Sequence, residues 1–88
     1  MTQVVIAFRK SVLPFVRNAR YYYGFVSEED LGERLRMTFL IHSEASFCRW
    51  LVSFGNAAEI ESPASLKEAM AALVEELALH YKELEVKA

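Results

Sequence analysis

Three side chains in this 88-residue sequence could ligate a transition metal: His42, Cys48 and His80. Two protein ligands of one metal usually come from a short spacing such as CxxC or HxxxH, and these residues form no such pair. The single cysteine also excludes an internal disulfide. We therefore assign structural or solvated roles to all three residues and expect no metal and no cofactor.

Sequence signatures of catalysis are absent as well. The chain contains no GxSxG, HExxH, Walker A or GxGxxG pattern, so it lacks the usual arrangements for an activated nucleophile, a zinc-bound water or a bound phosphate. Its serine, histidine and acidic residues do not fall into a suggestive order either. We therefore expect a protein that is not an enzyme.

Binding of single-stranded nucleic acid or of a small ligand is a second possible chemistry. The candidate residues for such a face are Arg9, Arg34 and Arg36. An open sheet face that carries arginines can grip a single strand. However, the net charge is −2, the aromatic signature of RNA-recognition sheets is missing, and Glu59 and Glu61 could pair with these arginines. Ligand binding on this face therefore stays the alternative hypothesis.

The most conspicuous aromatic residue is Trp50, which could stack on a ligand. Phe47, Leu51 and Phe54 lie on the same face of a predicted helix at spacings of three and four residues. This pattern favours a position in the core for Trp50. Gly55 follows where a residue in the left-handed conformation would end that helix.

The spacing of apolar residues predicts the elements that position these residues. Apolar residues at every second position indicate a strand, and apolar residues at every third or fourth position indicate a helix. Strands are predicted at 4–9, 21–26, 33–42 and 58–62, and helices at 12–20, 44–54 and 64–85. The SEEDLG segment supplies the turn between the second and third strands. The order βαββαβ with right-handed crossovers predicts an α+β fold, namely a ferredoxin-like open sandwich with a four-stranded antiparallel sheet and an additional long C-terminal helix.

Capping residues predict where the first and last helices begin. Ser11 is expected to cap the first helix, whose apolar face includes Phe15. Ser62 and Pro63 suit the N-cap and first residue of the last helix. A capping box at 65–68 is the competing start.

The last helix has an unusually broad apolar stripe for so small a protein. Leu79 lies in the opposite sector, among charged residues, where nothing in a monomer is expected to cover it. We therefore expect a second contact surface on this helix. A symmetric homodimer is the form that we expect, because two-fold assemblies are the commonest among soluble oligomers.

Composition restricts the class of protein. Hydrophobic residues make up 53% and charged residues 25% of the chain, which excludes a disordered protein. No apolar run approaches the length of about 18 residues that marks a membrane span. The N-terminal segment has no signal-peptide pattern. The expectation is a soluble cytoplasmic domain without a membrane partner.

One segment resembles a known family. The residues 49–66, RWLVSFGNAAEIESPASL, precede a long helix with a tyrosine near its end. This arrangement resembles the C-terminal extension (WCX) domain of WYL-type bacterial transcriptional regulators, in which an RWLLSFG…AEVLEP…LR stretch precedes such a helix. The residues that carry the resemblance are Arg49, Trp50, Phe54, Gly55, Pro63, Leu66 and Tyr81.

The resemblance implies a role in transcription regulation. Such regulators join a winged helix-turn-helix, a ligand-sensing WYL domain and this extension, which packs on neighbouring domains and across a dimer. Residues 1–88 contain neither a helix-turn-helix nor a WYL motif, so we expect a single domain corresponding to the extension. Its implied partners are the WYL domain and a second copy, and no specific binding of duplex DNA is expected from this module alone.

Overall fold

Residues 1–87 are described by a computed structural model. The elements within them are β1 (Thr2–Arg9), α1 (Leu13–Ala19), β2 (Phe25–Asp30), β3 (Arg34–Ile41), α2 (Glu44–Leu51), β4 (Ala58–Ser62) and α3 (Ala64–Lys87). The strands form one sheet in the order β2-β3-β1-β4, and every neighbouring pair is antiparallel. The predicted α+β, ferredoxin-like fold with a long C-terminal helix is confirmed.

The core lies between one face of the sheet and the helices. Val4, Ile6 and Phe8 of β1 and Met37 and Phe39 of β3 have no exposed surface. They alternate with residues of the opposite face because successive side chains of a strand point to opposite sides. The helices complete the core with Leu13, Val16, Phe47, Cys48, Leu51 and Leu66. Each large apolar side chain buried here stabilises the fold by about 1.5–3 kcal/mol.

The first helix packs most of its predicted apolar face on the core but directs one predicted residue outward. Leu13 and Val16 are buried, whereas Phe15 is 66% exposed, so the prediction of an inward Phe15 is wrong. Lys10–Val12 form a 3-10 turn before α1, and Leu13, which lies about 160° around the helix from Phe15, takes the inward position. Ser11 lies within that turn, and its predicted cap is wrong because no side-chain hydrogen bond caps either segment.

The second strand lies later in the chain than predicted. The strand predicted at 21–26 is wrong in position, because the tyrosines form turns after α1 and β2 continues through the acidic residues to Asp30. Side-chain hydrogen bonds explain why acidic residues belong to this strand. Glu29 accepts a hydrogen bond from Arg36 at 2.9 Å, and Asp30 accepts one from Lys10 at 3.0 Å. The acidic residues that were predicted to form a turn are therefore part of β2 and pair with β3.

The second helix begins as predicted but ends early. The Ser43 side chain accepts a hydrogen bond from the backbone N–H of Ser46 at 3.2 Å and caps the helix. The helix ends at Leu51 rather than at residue 54, and a segment of 3-10 turns follows. Gly55 has a positive φ of 57°, but its ψ of −133° lies outside the left-handed helical region expected of a cap.

The third helix starts at the predicted residue, Ala64. The carbonyl of Pro63 accepts a hydrogen bond from the N–H of Leu66 at 3.1 Å, so Pro63 precedes the helix instead of being its first residue. Ser65 donates a hydrogen bond to Glu44 at 3.2 Å. This contact ties α3 to the start of α2.

Candidate functional site

The open face of the sheet carries two arginines that are bound to carboxylates. Arg36 donates through Nε and Nη2 to the two carboxylate oxygens of Glu61 and through Nη1 to Glu29 at 2.9 Å. Arg34 donates to Glu59 at 3.1 Å. The expected pairing of these arginines with Glu59 and Glu61 is confirmed, and both guanidinium groups already have anionic partners.

The electrostatics of this face follow from those bonds. Hydrogen bonds from Arg36 lower the pKa of Glu61, and the bonds to Glu61 and Glu29 raise the pKa of Arg36. Arg36 and Glu61 therefore both stay charged at neutral pH. A phosphate that approached the face would compete with carboxylates already in place.

Arg9 does not extend this network. It lies opposite Arg34 in the β1–β3 ladder, it is exposed, and it has no ion pair within residues 1–87. Two like charges face each other there, which opposes strand pairing slightly. The structure thus brings Arg34 and Arg36 into one carboxylate-bound row and leaves Arg9 at its end.

Trp50 lies in an aromatic cluster beside the core. Its indole stacks on the ring of Tyr23 with 4.2 Å between ring centroids and 11° between the ring planes. Other rings surround it with centroid distances of 5.2 to 6.4 Å: Phe8, Phe39, Phe47 and Phe54. Because Tyr23 occupies one face of this half-buried indole, that face is not available to a ligand.

The other residues of the family-like motif are spread over the domain. Leu66 is fully buried in the core, and Gly55 lies in the 3-10 segment. Arg49 is exposed on α2, and Tyr81 is 62% exposed on α3. The structure therefore groups Trp50 with Phe54 but does not gather the motif into one pocket.

The metal-ligand candidates are not brought together. His42 is exposed just after β3, and His80 is exposed on α3. Cys48 is buried, and its thiol lies 3.9 Å from the Leu66 carbonyl oxygen. Burial, with a smaller contribution from Glu44, raises the pKa of this thiol, so it stays protonated. Within residues 1–87, no three histidine, cysteine or acidic side chains form a metal-sized group.

The outer part of α3, residues 74–85, leaves the globule, and we name it the α3 arm. Ala69, Met70 and Leu73 still pack against the core. Beyond them, Val74, Leu77, Leu79, Tyr81 and Leu84 are between 37% and 62% exposed. The radius of gyration is 14.1 Å, compared with about 12 Å for a compact chain of this length. The exposure expected for Leu79 is confirmed, and the exposure extends over the whole arm.

A second exposed apolar surface follows α1, and sequence reasoning missed it. Phe15, Tyr21 and Tyr22 are 66%, 71% and 86% exposed, and we name these three residues the α1 surface. The tyrosines also line a groove of about 590 Å³ that continues to Phe25. Three consecutive tyrosines were the only sequence signal, and they were assigned to a strand.

These features define a ferredoxin-like domain that exposes apolar surfaces on its helical side. In the part of the chain that the structure describes, no helix is long and apolar enough to cross a membrane. Residues 1–78 match the WCX domain family, and the chain therefore belongs to that family. WCX is a domain family associated with WYL-type regulators. No curated protein matches the chain.

Proposed function

We propose that this chain is a single-domain, non-enzymatic regulatory and assembly module of a WYL-type bacterial transcriptional regulator. It docks on the WYL effector-sensing domain and contributes to dimerisation. Ligand sensing by the WYL domain then alters the geometry of DNA-binding domains supplied elsewhere in the regulator. Family membership supports the regulatory context, and the α3 arm is the observation that supports docking.

The arm carries apolar side chains in the pattern of a helix that binds a groove. Val74, Leu77, Tyr81 and Leu84 follow one another at spacings of three or four residues, so they share one side of the helix. That side continues the stripe by which Leu66 and Met70 pack on the domain's own core. Helices that bind partner grooves use anchors at this spacing, and an exposed apolar patch of this kind indicates a protein interface.

Leu79 gives the arm a second apolar contact. It is 55% exposed, and it lies about 160° around the helix from Leu77, because each residue turns an α-helix by about 100°. A helix with apolar side chains on two sides can contact two neighbours. We assign the Leu79 side to the WYL domain and the stripe to dimerisation.

Replacing Leu79 tests the docking role. Leu79→Ser should weaken binding of the chain to the purified WYL domain of the same regulator about tenfold or more, since it removes one buried leucine contact. Isothermal titration calorimetry measures this. Ala71→Ser, at an exposed position about 80° around the same helix from Leu79, is the control and should bind like wild type. Absence of wild-type binding would refute docking, and unchanged binding by Leu79→Ser would refute the assigned side.

The alternative function is binding of single-stranded nucleic acid or a small ligand through Arg34 and Arg36. A test of nucleic-acid binding separates the proposed function from this alternative. We expect no specific binding of duplex or single-stranded DNA by the isolated chain at about 0.15 M salt, where exposed charges are screened beyond about 8 Å. The sheet arginines are bound to carboxylates, and α3 is acidic, so its field repels phosphate.

Fluorescence anisotropy with labelled operator, scrambled and single-stranded DNA checks this expectation. The double variant Arg34→Met and Arg36→Met is the control, and it should give the same weak signal as wild type. Submicromolar binding that this variant abolishes would favour the alternative. Submicromolar binding that distinguishes operator from scrambled duplex would overturn the docking-module proposal.

A further inference from the structure

The Leu79 side of the α3 arm combines an exposed leucine with acidic residues. Glu75 and Glu83 lie four residues before and after Leu79, so the three side chains follow one another along the same side of the helix. Glu76 lies about 60° around the helix from Leu79, and Leu79, Glu76 and Glu83 line the same shallow groove. All four residues are exposed. The leucine is therefore flanked by carboxylates at both ends.

The net charge of this side is negative. Within about 60° of Leu79, the arm carries Glu75, Glu76 and Glu83 and one base, Lys82, for a charge of 1 − 3 = −2. No lysine or arginine lies three or four residues from Glu75 or Glu76, which is the spacing at which helix side chains pair. Neither of these two carboxylates forms an ion pair with the side chains that the structure describes. Their charge is therefore available to a partner.

This charge disfavours three of the partners that an exposed leucine could have. Nucleic acid and anionic lipid both carry phosphate, which an acidic surface repels. A second copy of the same side would bring identical glutamates to the interface, and like charges there oppose association. The partner that suits Leu79 is a different protein surface, with an apolar pocket for the leucine and basic residues around it.

The family match does not account for this surface. Residues 1–78 match the WCX family, whereas Leu79, Lys82 and Glu83 lie beyond the matched range. The last α3 residue that packs against the core is Leu73, so the domain's own packing does not explain the exposed leucine either. Its acidic surroundings are a feature of this chain that a binding partner would explain.

We propose that the Leu79 side binds an apolar pocket with a basic rim on the WYL domain of the chain's own regulator, and that the glutamates steer the encounter. This inference rests on the docking part of the proposed function and names the chemistry of the surface that receives Leu79. Leu79 fills the pocket, and Glu75, Glu76 and Glu83 face the basic rim. Charges at a rim act mainly on the association rate and its salt dependence, whereas a buried anchor acts mainly on the dissociation rate.

Stopped-flow measurement of association with the purified WYL domain of the same regulator tests the proposal. In the full chain, the arm variant carries Glu75→Gln and Glu83→Gln, and the control variant carries Glu33→Lys; both change the net charge by +2. Glu33 is exposed between β2 and β3. The edge strand there is β2, whereas α3 packs on α2 and on the other edge strand, β4. Circular dichroism should give the same spectrum and thermal midpoint for all chains.

The arm variant should associate about tenfold more slowly than wild type at about 0.1 M salt, because it lacks the charges that steer the encounter. Its dissociation rate should change little. The difference in association rate should disappear at about 1 M salt, where the screening length is about 3 Å. The control variant should associate like wild type, and Leu79→Ser should mainly raise the dissociation rate.

The outcomes separate this inference from docking itself. Equal association rates for wild type and the arm variant, or equal slowing of the arm and control variants, would overturn the role of the glutamates while docking stands. Slowing of the arm variant that persists at about 1 M salt would overturn it too, because screening should remove an electrostatic effect. A wild-type chain that does not bind the WYL domain at either salt concentration would refute both.

Discussion

Trp50→Ala is expected to lower the free energy of unfolding by about 3 kcal/mol, the lower end of the range for removing a core tryptophan. The lower end applies because the indole is half-buried. The variant loses the stacked contact with Tyr23 and edge contacts with Phe47 and Phe54, and such aromatic pairs contribute about 0.5–1.5 kcal/mol beyond their buried area. A domain of this size has a total margin of about 4–13 kcal/mol.

Thermal unfolding followed by circular dichroism measures this loss. A destabilisation of about 3 kcal/mol corresponds to a midpoint more than about 10 °C lower in a domain of this length. Trp50→Phe retains a ring and should recover part of the loss. Phe15→Ala removes an aromatic ring that is 66% exposed and lies outside this cluster, and it should change the midpoint little. A Trp50→Ala midpoint equal to that of wild type would mean that the cluster does not stabilise the domain, and ligand stacking by Trp50 would regain support.

The sheet was the most predictable part of the fold. Residues of β3 alternate between buried apolar side chains and the open face, and so do those of β1 except that Ala7 is also buried on the open side. A period of two is a strong signal wherever one side of a strand is covered. β4 was predicted with its exact bounds, Ala58–Ser62. The start of α2 was predictable because Ser43 is a local cap. Local patterns thus determined the element order and the fold class.

The wrong predictions for Phe15 and for the tyrosines concern segments whose residues fit more than one local structure. In α1, Leu13 and Phe15 lie about 160° apart around the helix, so only one of them can face the core, and the structure buries Leu13. The tyrosines have high strand propensity, but backbone hydrogen bonds from Tyr22 to Ala19 and from Tyr23 to Arg20 hold them in turns. Tertiary packing decided both cases, and no window of the sequence contains it.

Local sequence patterns also predicted part of the candidate site. The exposure of Leu79 follows from its sector on a helical wheel, and the pairing of the sheet arginines with Glu59 and Glu61 follows from strand alternation. The point at which α3 leaves the globule depends on how far α2 and β4 extend beneath it, which periodicity does not encode. Apolar residues of the arm therefore resembled core residues in the sequence.

Gly24→Ala is the second substitution with a large expected effect, a loss of about 3 kcal/mol or more of the free energy of unfolding. Gly24 joins the α1 surface to β2, and its carbonyl accepts a hydrogen bond from the N–H of Leu40 at 2.9 Å. A Cβ atom at this position would overlap the backbone carbonyl oxygen of Leu40, and φ is +87°. The positive φ alone costs an L-residue about 1–2 kcal/mol, and the overlap adds to this cost because a strand backbone must move.

Gly32→Ala separates the two contributions. Gly32 also has a positive φ, +98°, but no atom lies within 4 Å of the position that its Cβ would take. This control should therefore lose only about 1–2 kcal/mol, the cost of the backbone conformation. Chemical denaturation of both variants with urea gives the two free energies, and their difference measures the overlap with Leu40. Equal losses in the two variants would show that β2 and β3 separate at this end without cost, and the close approach of Gly24 to Leu40 would then be unnecessary to the fold.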